Sequence, residues 1–223
     1  MILLSLLNSE SVWFIRILIS KESLDIDHRP SLGYLYAVSK LKNSFLITGI
    51  KHCGKSSTAR MLSNFFSAAF TDIDDTAEEI YFNETCERLS SREIYKRGGR
   101  ELFMSFELKA SKLITLRTAE APQIAAAGGG ICDNLPAIEI LKKNFIIFYI
   151  DEDADILYDR IIRKGIPAFL SAGKPYDDFM KLYDKRSTNY EKLCNIRISG
   201  GGRSTKAIAG EIITKLREDG YAG

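Results

Sequence analysis

Short apolar runs alternate with amphipathic stretches along the chain from about residue 44 onward. Five runs have the length and apolar composition of buried strands, at 44–48, 68–70, 122–127, 145–150 and 196–198. The stretches between them carry apolar residues at helical spacing, which predicts helices at 55–66, within 76–118, and at 136–143, 155–164, 177–193 and 205–217. Strands that alternate with helices indicate βαβ units. The pattern therefore predicts an α/β fold with a central five-stranded parallel sheet, covered by helices on both faces.

Residues 1–43 do not follow this alternation. Their two apolar runs are interrupted by Glu10 and Arg16, whereas a membrane-spanning helix needs about 20 largely uncharged apolar residues. A signal peptide would place positive charge before the apolar run and a small-residue cleavage site after it, and neither is obvious here. We expect an N-terminal extension of unknown role, either packed on the domain or arising from a misplaced start codon. Membrane association or targeting is the alternative.

Composition narrows the classes of partner. The 223 residues carry 31 Lys and Arg against 29 Asp and Glu, a net charge of +2, whereas a nucleic-acid-binding domain is expected to be strongly basic. We therefore expect no nucleic acid partner and no membrane partner, and any bound anion must be held by local groups. The four cysteines form no CxxC pair, which disfavours a structural zinc site. A chain of this length buries a core without disulfides, so reduced thiols and a cytoplasmic location are expected.

A phosphate-binding motif follows the first predicted strand. Residues 49–56, GIKHCGKS, fit G-x-x-x-x-G-K-[ST], in which backbone N–H groups and the start of the next helix surround phosphate oxygens. Lys55 would neutralise the β and γ phosphates, and the Ser56 hydroxyl would ligate Mg²⁺. The alternative is a glycine turn beside a helical Ser-Ser-Thr cap. The expected nucleotide-binding residues in this region are Gly49, Cys53, Gly54, Lys55, Ser56 and Ser57. Because the loop acts through its backbone, the side chains of His52 and Cys53 are expected to be bystanders.

Two acidic residues, Asp72 and Asp74, follow the second predicted strand. On an extended segment, residues two apart point to the same side. One carboxylate could then hold a metal ion or its water while the other orients a substrate hydroxyl. The alternative is a solvated acidic turn that includes Asp75.

Taken together, these motifs resemble those of shikimate kinases. The similarity covers about residues 44–217 in family order and leaves residues 1–43 uncovered. The further motifs that carry it are Glu93-Ile94-Tyr95, Gly99-x-x-x-Phe103-x-x-x-Glu107, Ala126-Ala127-Gly128-Gly129-Gly130, Leu157-x-x-Arg160, Lys185-Arg186-x-x-x-Tyr190-Glu191 and Gly202-Arg203-Ser204. The resemblance implies a three-layer P-loop kinase domain over residues 44–223, which acts as a cytoplasmic monomer. It also implies transfer of the γ-phosphoryl group of ATP, with Mg²⁺, to a hydroxyl of shikimate.

The resemblance also implies a role for each matched residue. Lys55 and the loop amides would hold ATP, with Ser56 on Mg²⁺ and Asp72 on the metal through water. Asp74 would bind shikimate hydroxyls and help deprotonate the attacking one. Gly128, Gly129 and Gly130 would line the substrate pocket, Arg186 would pair with the shikimate carboxylate, and Arg160 and Arg203 would flank the adenine.

Two positions depart from the family pattern. Met104 and Ile166 stand where the family has arginines, one for the substrate carboxylate and one in the lid. Arg100 lies one helical turn before Met104 and is a candidate to reach the same pocket, while Arg163 and Lys164 could supply the lid charge. The alternatives are a kinase for another small hydroxylated substrate and an inactive nucleotide-binding regulator. The intact set of Lys55, Ser56, Asp72 and Asp74 argues against the second of these.

Overall fold

Seven α-helices surround a five-stranded parallel sheet in the computed structural model, which describes residues 41–163 and 173–222. In chain order the elements are β1 (Phe45–Thr48), α1 (Lys55–Phe66), β2 (Ala69–Asp72), α2 (Ile73–Thr85), α3 (Ser91–Arg117), β3 (Gln123–Ala126), a 3₁₀ turn (Ile131–Asp133), α4 (Leu135–Asn144), β4 (Ile146–Asp151), α5 (Ala154–Ile162), α6 (Pro175–Leu193), β5 (Ile196–Ser199) and α7 (Thr205–Glu218). The predicted three-layer α/β class is confirmed. Residues 1–40 of the extension, Lys164 and the lid position Ile166 lie outside the described residues.

The central strands are the most apolar because helices cover the sheet on both faces. Phe45, Leu46 and Ile47 of β1 are fully buried, as is the core of β4. Strands buried on both faces are expected to be continuous apolar runs rather than alternating ones. The strand order is β2-β3-β1-β4-β5, and Phe45 lies opposite Ile124 of β3 on one side and Ile146 of β4 on the other.

The strand order changes direction at β1. After β1 the chain forms the edge strand β2 and returns to place β3 between β2 and β1, and it then continues on the other side of β1 with β4 and β5. In open parallel sheets, ligands bind beyond the carboxyl ends of the strands at such a switch point. The loops after β1, β3 and β4 therefore meet where a ligand is expected, and the first two of these loops carry the phosphate motif and the triple glycine.

The region 76–118 folds as two helices, as predicted. The second, α3, begins with a capping box in which the Ser90 backbone N–H donates to Glu93 Oε2 at 2.8 Å. It bends at Gly99, whose φ of 75° and ψ of −169° are not helical. The bend directs the long second part of α3, which carries Met104 and Glu107, along α2 and α4.

The first described residues pair with the last ones. Leu41 forms an antiparallel bridge with Ala222, and the Lys42 backbone N–H donates to the Tyr221 carbonyl at 3.1 Å. Residues 41 and 42 are thus tied to the C-terminal end of the domain, while the division between residues 43 and 44 stays a prediction. Within 41–163 and 173–222, no helix is both long and apolar enough to cross a membrane.

Candidate active site

The phosphate motif forms a tight loop between β1 and α1. Gly54, at φ 96°, is the N-cap residue of α1 and offers no side-chain cap to the first amides of the helix. The first intrahelical bond runs from the Thr58 N–H to the Gly54 carbonyl at 2.9 Å. The N–H groups of Lys55, Ser56 and Ser57 thus precede the first intrahelical bond and point toward the loop. Together with the positive end of the helix dipole, they form a site for an anion.

Lys55 lies inside this loop with only 8% of its surface exposed. Its Nζ donates to the Ile50 carbonyl at 3.1 Å and lies 4.0 Å from Cys53 Sγ. Burial raises the pKa of the Cys53 thiol, so this sulfur is a packed neutral group at neutral pH. A Cβ at Gly49 would stand 2.7 Å from the same sulfur. Cys53 thus packs the loop from within, and only glycine fits at position 49.

Ser56 and Asp72 are hydrogen-bonded partners, because the Ser56 hydroxyl donates to Asp72 Oδ2 at 2.8 Å. Asp72 is the last residue of β2 and the N-cap of α2, where its Oδ1 accepts from the Asp74 N–H at 3.1 Å. A hydroxyl and a carboxylate oxygen therefore stand together beside the phosphate loop. Oxygen ligands of this kind suit Mg²⁺, which usually takes one or two protein ligands plus phosphates and water. The donor set therefore fits the metal implied by the motif. In the described ranges, no group of three or more His, Cys, Asp or Glu residues is placed to hold a metal by itself.

The prediction that Asp72 and Asp74 share an extended segment is wrong. The strand ends at Asp72, and Asp74 lies in the first turn of α2 because Asp72 caps that helix. Asp74 Oδ1 is buried and lacks a hydrogen-bond partner among the described residues. Burial, followed by the charge of Asp72, raises the pKa of Asp74 to about 6, while the Lys55 charge opposes this rise. Asp74 is therefore a carboxylate close to the phosphate loop that gains a proton only slightly below neutral pH.

The three consecutive glycines pack against three different functional elements. An added Cβ on Gly128 would collide with the Asp74 carboxylate, one on Gly129 would stand 2.7 Å from the Lys51 amide nitrogen, and one on Gly130 would stand 2.9 Å from Arg186 Nη2. The glycines were expected to allow a substrate to approach the backbone. In the structure, they also allow the protein's own phosphate loop, α2 and α6 to converge on the end of β3.

Arg186 is placed by the residue one turn later on α6. Tyr190 is fully buried, stacks on Tyr149 with ring centroids 5.2 Å apart, and donates its hydroxyl to the Gly128 carbonyl at 3.4 Å. This contact fixes α6 so that Arg186, four residues earlier, reaches Gly130 and Asp133. Arg186 Nε and Nη2 each donate to Asp133 Oδ2 at 3.1 Å. The R-x-x-x-Y spacing thus has a physical basis.

Arg100 lies near the same carboxylate with half of its side chain exposed, and its role at the pocket stays a prediction. Its Nη2 lies 4.0 Å from Asp133 Oδ1, and its Nε donates to Met104 Sδ at 3.3 Å. Below Met104, Asn134 Nδ2 donates both to the Met104 carbonyl at 2.9 Å and to Glu107 Oε2 at 2.8 Å. Glu107 is 2% exposed, and burial raises the pKa of its carboxyl to about 7 although the bond from Asn134 opposes this.

Arg160 lies in the last turn of α5 and Arg203 in the loop between β5 and α7, and a buried glutamate, Glu152, links the two segments. Arg160 Nη1 donates to the His52 carbonyl of the phosphate loop at 3.1 Å and lies 3.1 Å from Glu152 Oε2, without hydrogen-bond geometry to it. Glu152 Oε1 accepts the Gly202 N–H at 2.8 Å, next to Arg203. Arg203 Nη1 pairs with Glu211 at 2.8 Å. Arg163, considered for the lid, is exposed at the end of α5.

The sequence patterns predict no role for Asp133 or Glu152, and they include Glu107 and Lys185 only as members of motifs. Glu152 follows directly after β4, so the rule that ligands bind beyond the carboxyl ends of strands pointed to its position. Asp133 follows the triple glycine by three residues, but its pairing with α6 depends on a contact between segments 53 residues apart. No local sequence pattern predicts a contact between residues so far apart in the chain.

Comparison with known proteins identifies the group to which this arrangement is similar. A family model described as shikimate kinase matches residues 51–217. The shikimate kinase of Sulfurihydrogenibium sp. is 27% identical over 177 residues, which cover 79% of this chain and 99% of that protein. The shikimate kinase of Dehalococcoides mccartyi is 28% identical over 179 residues, covering 80% of this chain and 96% of that protein. A solved shikimate kinase from Acinetobacter baumannii, in complex with shikimate, has a TM-score of 0.69 at 19% identity, covering 79% of this chain and 94% of that one.

Proposed function

The chain belongs to the shikimate kinase family, and on that basis we propose that it transfers the γ-phosphoryl group of ATP to a hydroxyl of shikimate. The observation that carries this proposal is the position of Asp74. Its buried, unpartnered Oδ1 lies against Gly128, and its charge is influenced by Lys55 of the phosphate loop. A hydroxyl acceptor and the phosphate donor would therefore meet at one carboxylate.

The proposed reaction is an in-line displacement at the γ phosphorus. The acceptor hydroxyl donates its proton to Asp74 as its oxygen attacks, and ADP leaves from the opposite side. Lys55 and the amides of α1 balance the negative charge on the transferring group, and most of the rate enhancement comes from positioning and charge. With a pKa of about 6, Asp74 is ionised at neutral pH and can accept the proton.

Ser56 and Asp72 are the residues that would hold Mg²⁺, Ser56 directly and Asp72 through a water molecule. Their hydrogen bond of 2.8 Å supports this proposal, since both oxygens are already directed toward one place beside the loop. When bound there, Mg²⁺ would supply neutralisation of the negative charge on the phosphates. Gly49, Cys53, Gly54 and Ser57 would complete the phosphate site through their backbone, and Arg160 and Arg203 would flank the adenine.

Arg186 is the proposed partner of the substrate carboxylate, with Arg100 as an auxiliary and Gly128, Gly129 and Gly130 forming the wall of the pocket. A second candidate function has its own support, because Met104 supplies no charge and Arg186 is already paired with Asp133. Both features favour a small hydroxylated substrate that lacks a carboxylate. In either case we propose a cytoplasmic monomer with a small-molecule substrate, and a domain that begins at residue 44.

The deciding experiment is a coupled assay of ADP formation with shikimate and with a panel of hydroxylated compounds with and without a carboxylate. Shikimate turnover that disappears in Lys55→Met would support the first proposal. Turnover only with uncharged hydroxyl compounds would support the second candidate. ATP binding without turnover on any compound would refute both and favour a nucleotide-binding regulator.

A further inference from the structure

Three cationic side chains surround one carboxylate next to the triple glycine. Asp133 Oδ2 accepts both hydrogen bonds from Arg186, and Asp133 Oδ1 lies 3.2 Å from Lys185 Nζ and 4.0 Å from Arg100 Nη2. The Asp133 side chain is 9% exposed and that of Arg186 is 21% exposed, whereas Lys185 and Arg100 are at least half exposed. These four residues form what we call the Asp133 cluster.

The Asp133 cluster has more positive than negative charge. Three cations face the single carboxylate of Asp133, and the next carboxyl that acts on Arg186 is Glu107, whose pKa of about 7 leaves it partly protonated near neutral pH. An arrangement with this excess of positive charge has capacity for a second anion. Among the described residues, Asp133 is the carboxylate that forms a direct ion pair with Arg186.

The position of Arg186 makes this excess relevant to the substrate. It touches Gly130 at the end of the triple glycine, whose other end touches Asp74. Under the proposed function, the carboxylate of the substrate needs this guanidinium. Asp133 Oδ2 already accepts from both Nε and Nη2, and so occupies one of the guanidinium edges that can bind a carboxylate with two hydrogen bonds.

We propose that Asp133 is a built-in competitor for the substrate carboxylate and thereby sets the affinity and selectivity of the acceptor site. A substrate carboxylate takes the Nε and Nη2 edge of Arg186, and the Asp133 carboxylate is then held by Lys185 and Arg100 alone. A neutral substrate does not displace Asp133. This inference rests on the proposed function, because it requires that the acceptor binds at Arg186.

Removing the charge of Asp133 tests the competition. We expect Asp133→Asn to bind shikimate about tenfold more tightly than the wild-type protein, since about 1.4 kcal/mol of relieved competition corresponds to a factor of ten. Binding of the neutral carboxamide of shikimate should change by less than about twofold by the same relation. Both affinities are measured by titration calorimetry in the presence of ADP and Mg²⁺.

Two further variants serve as controls. Asp184→Asn removes one negative charge from the exposed surface of α6 beside Lys185 without touching Arg186, and should leave the ratio of the two affinities unchanged. Asp133→Ala removes the hydrogen-bond acceptor as well as the charge, and should tighten shikimate binding in the same direction as Asp133→Asn. Thermal unfolding of each variant shows whether it is folded.

The outcomes separate this inference from the proposed function. If the wild-type protein phosphorylates shikimate and both Asp133 variants bind it no more tightly, the inference is overturned while the function stands. Weaker binding in the variants would also overturn it, since Asp133 would then orient Arg186. If the wild-type protein fails to bind shikimate and the variants bind it, the function fails while the competition is supported. If no variant binds shikimate, the inference is overturned.

Discussion

Glu107 should make the stability of the domain depend on pH, and the effect can be isolated with one substitution. The side chain is 2% exposed on α3, and its hydrogen-bond partner in the structure is the Asn134 amide, which donates to Oε2 at 2.8 Å. Met104, one turn earlier, supplies no cation where the family has an arginine. Burial therefore dominates and raises the pKa of Glu107 from 4.5 to about 7.

The magnitude and sign follow from proton linkage. Between pH 4.5 and pH 7, the folded state keeps a proton on Glu107 that the unfolded state releases, so stability falls as pH rises through this window. A difference of 7 − 4.5 = 2.5 in pKa, at about 1.4 kcal/mol for each pKa unit, corresponds to about 3 kcal/mol. Below pH 4.5 this contribution to the free energy of unfolding is fully present, and above pH 7 it is lost.

Glu107→Gln removes the titration while keeping the shape of the protonated side chain. We expect the variant to be close to wild type in stability at pH 4.5, and more stable by about 3 kcal/mol at pH 8. Urea unfolding of both proteins at several pH values gives the difference in the free energy of unfolding. Asp74 titrates nearby, but it is present in both proteins and largely cancels from that difference.

Glu101→Gln provides the matched control, because Glu101 is an exposed glutamate on the same helix. The difference in the free energy of unfolding between this variant and wild type, measured at the same pH values, gives the effect of removing an exposed carboxyl from α3. A constant difference between Glu107→Gln and wild type from pH 4.5 to pH 8 would refute the reasoning, since it would mean that Glu107 keeps an ordinary pKa inside the fold.

Three further predictions concern the activity. In the proposed mechanism Asp74 must be ionised to accept a proton, and its pKa is about 6, so kcat/KM should rise with pH through about 6. Asp74→Asn should lower kcat at least about 100-fold and remove this pH dependence, and an unchanged acidic limb in the variant would contradict the assignment. Glu152→Gln should raise KM for ATP about tenfold with little change in kcat, because Glu152 joins Gly202 to Arg160. The control Asp153→Asn, at an exposed neighbouring residue, should leave KM for ATP unchanged. A decrease confined to kcat in Glu152→Gln would argue against this positioning role. Met104→Arg should lower KM for shikimate several-fold because it adds a positive charge for the substrate carboxylate, and Met104→Leu should not. Equal effects of the two substitutions on KM would mean that packing, not charge, determines KM.

The sequence predicts the sheet well because its central strands are continuous apolar runs, as β1 and β4 illustrate. It fails at the edge strand β2, which extends to Asp72 and is followed at once by α2. An aspartate that caps a helix with acidic residues in its first turn is a recognised start signal. The same two carboxylates two residues apart also fit a metal site on a strand, and this second pattern leads to the wrong prediction for Asp74.

The candidate site divides in the same way between local and distant information. The phosphate loop is local, since eight consecutive residues between a strand and a helix determine its backbone. The contacts of the triple glycine are not local, because Asp74, Lys51 and Arg186 come from three separate segments. The three consecutive glycines predict a segment where other groups can approach the backbone closely, because no side chains fill the space. Only the folded chain reveals which side chains occupy the space that they leave.

The absence of an arginine at position 104 and the raised pKa of Glu107 are linked rather than independent. Without an arginine at position 104, Glu107 has no cation one turn away, and its raised pKa lowers the average negative charge that acts on Arg186. Asp133 adds negative charge next to the same guanidinium. Restoring the arginine with Met104→Arg would therefore also ionise Glu107, and part of the added positive charge would be neutralised inside the protein. The gain in shikimate affinity should consequently be larger in Met104→Arg combined with Glu107→Gln than in Met104→Arg alone, and equal affinities of the two proteins would show that Glu107 and the acceptor site are uncoupled.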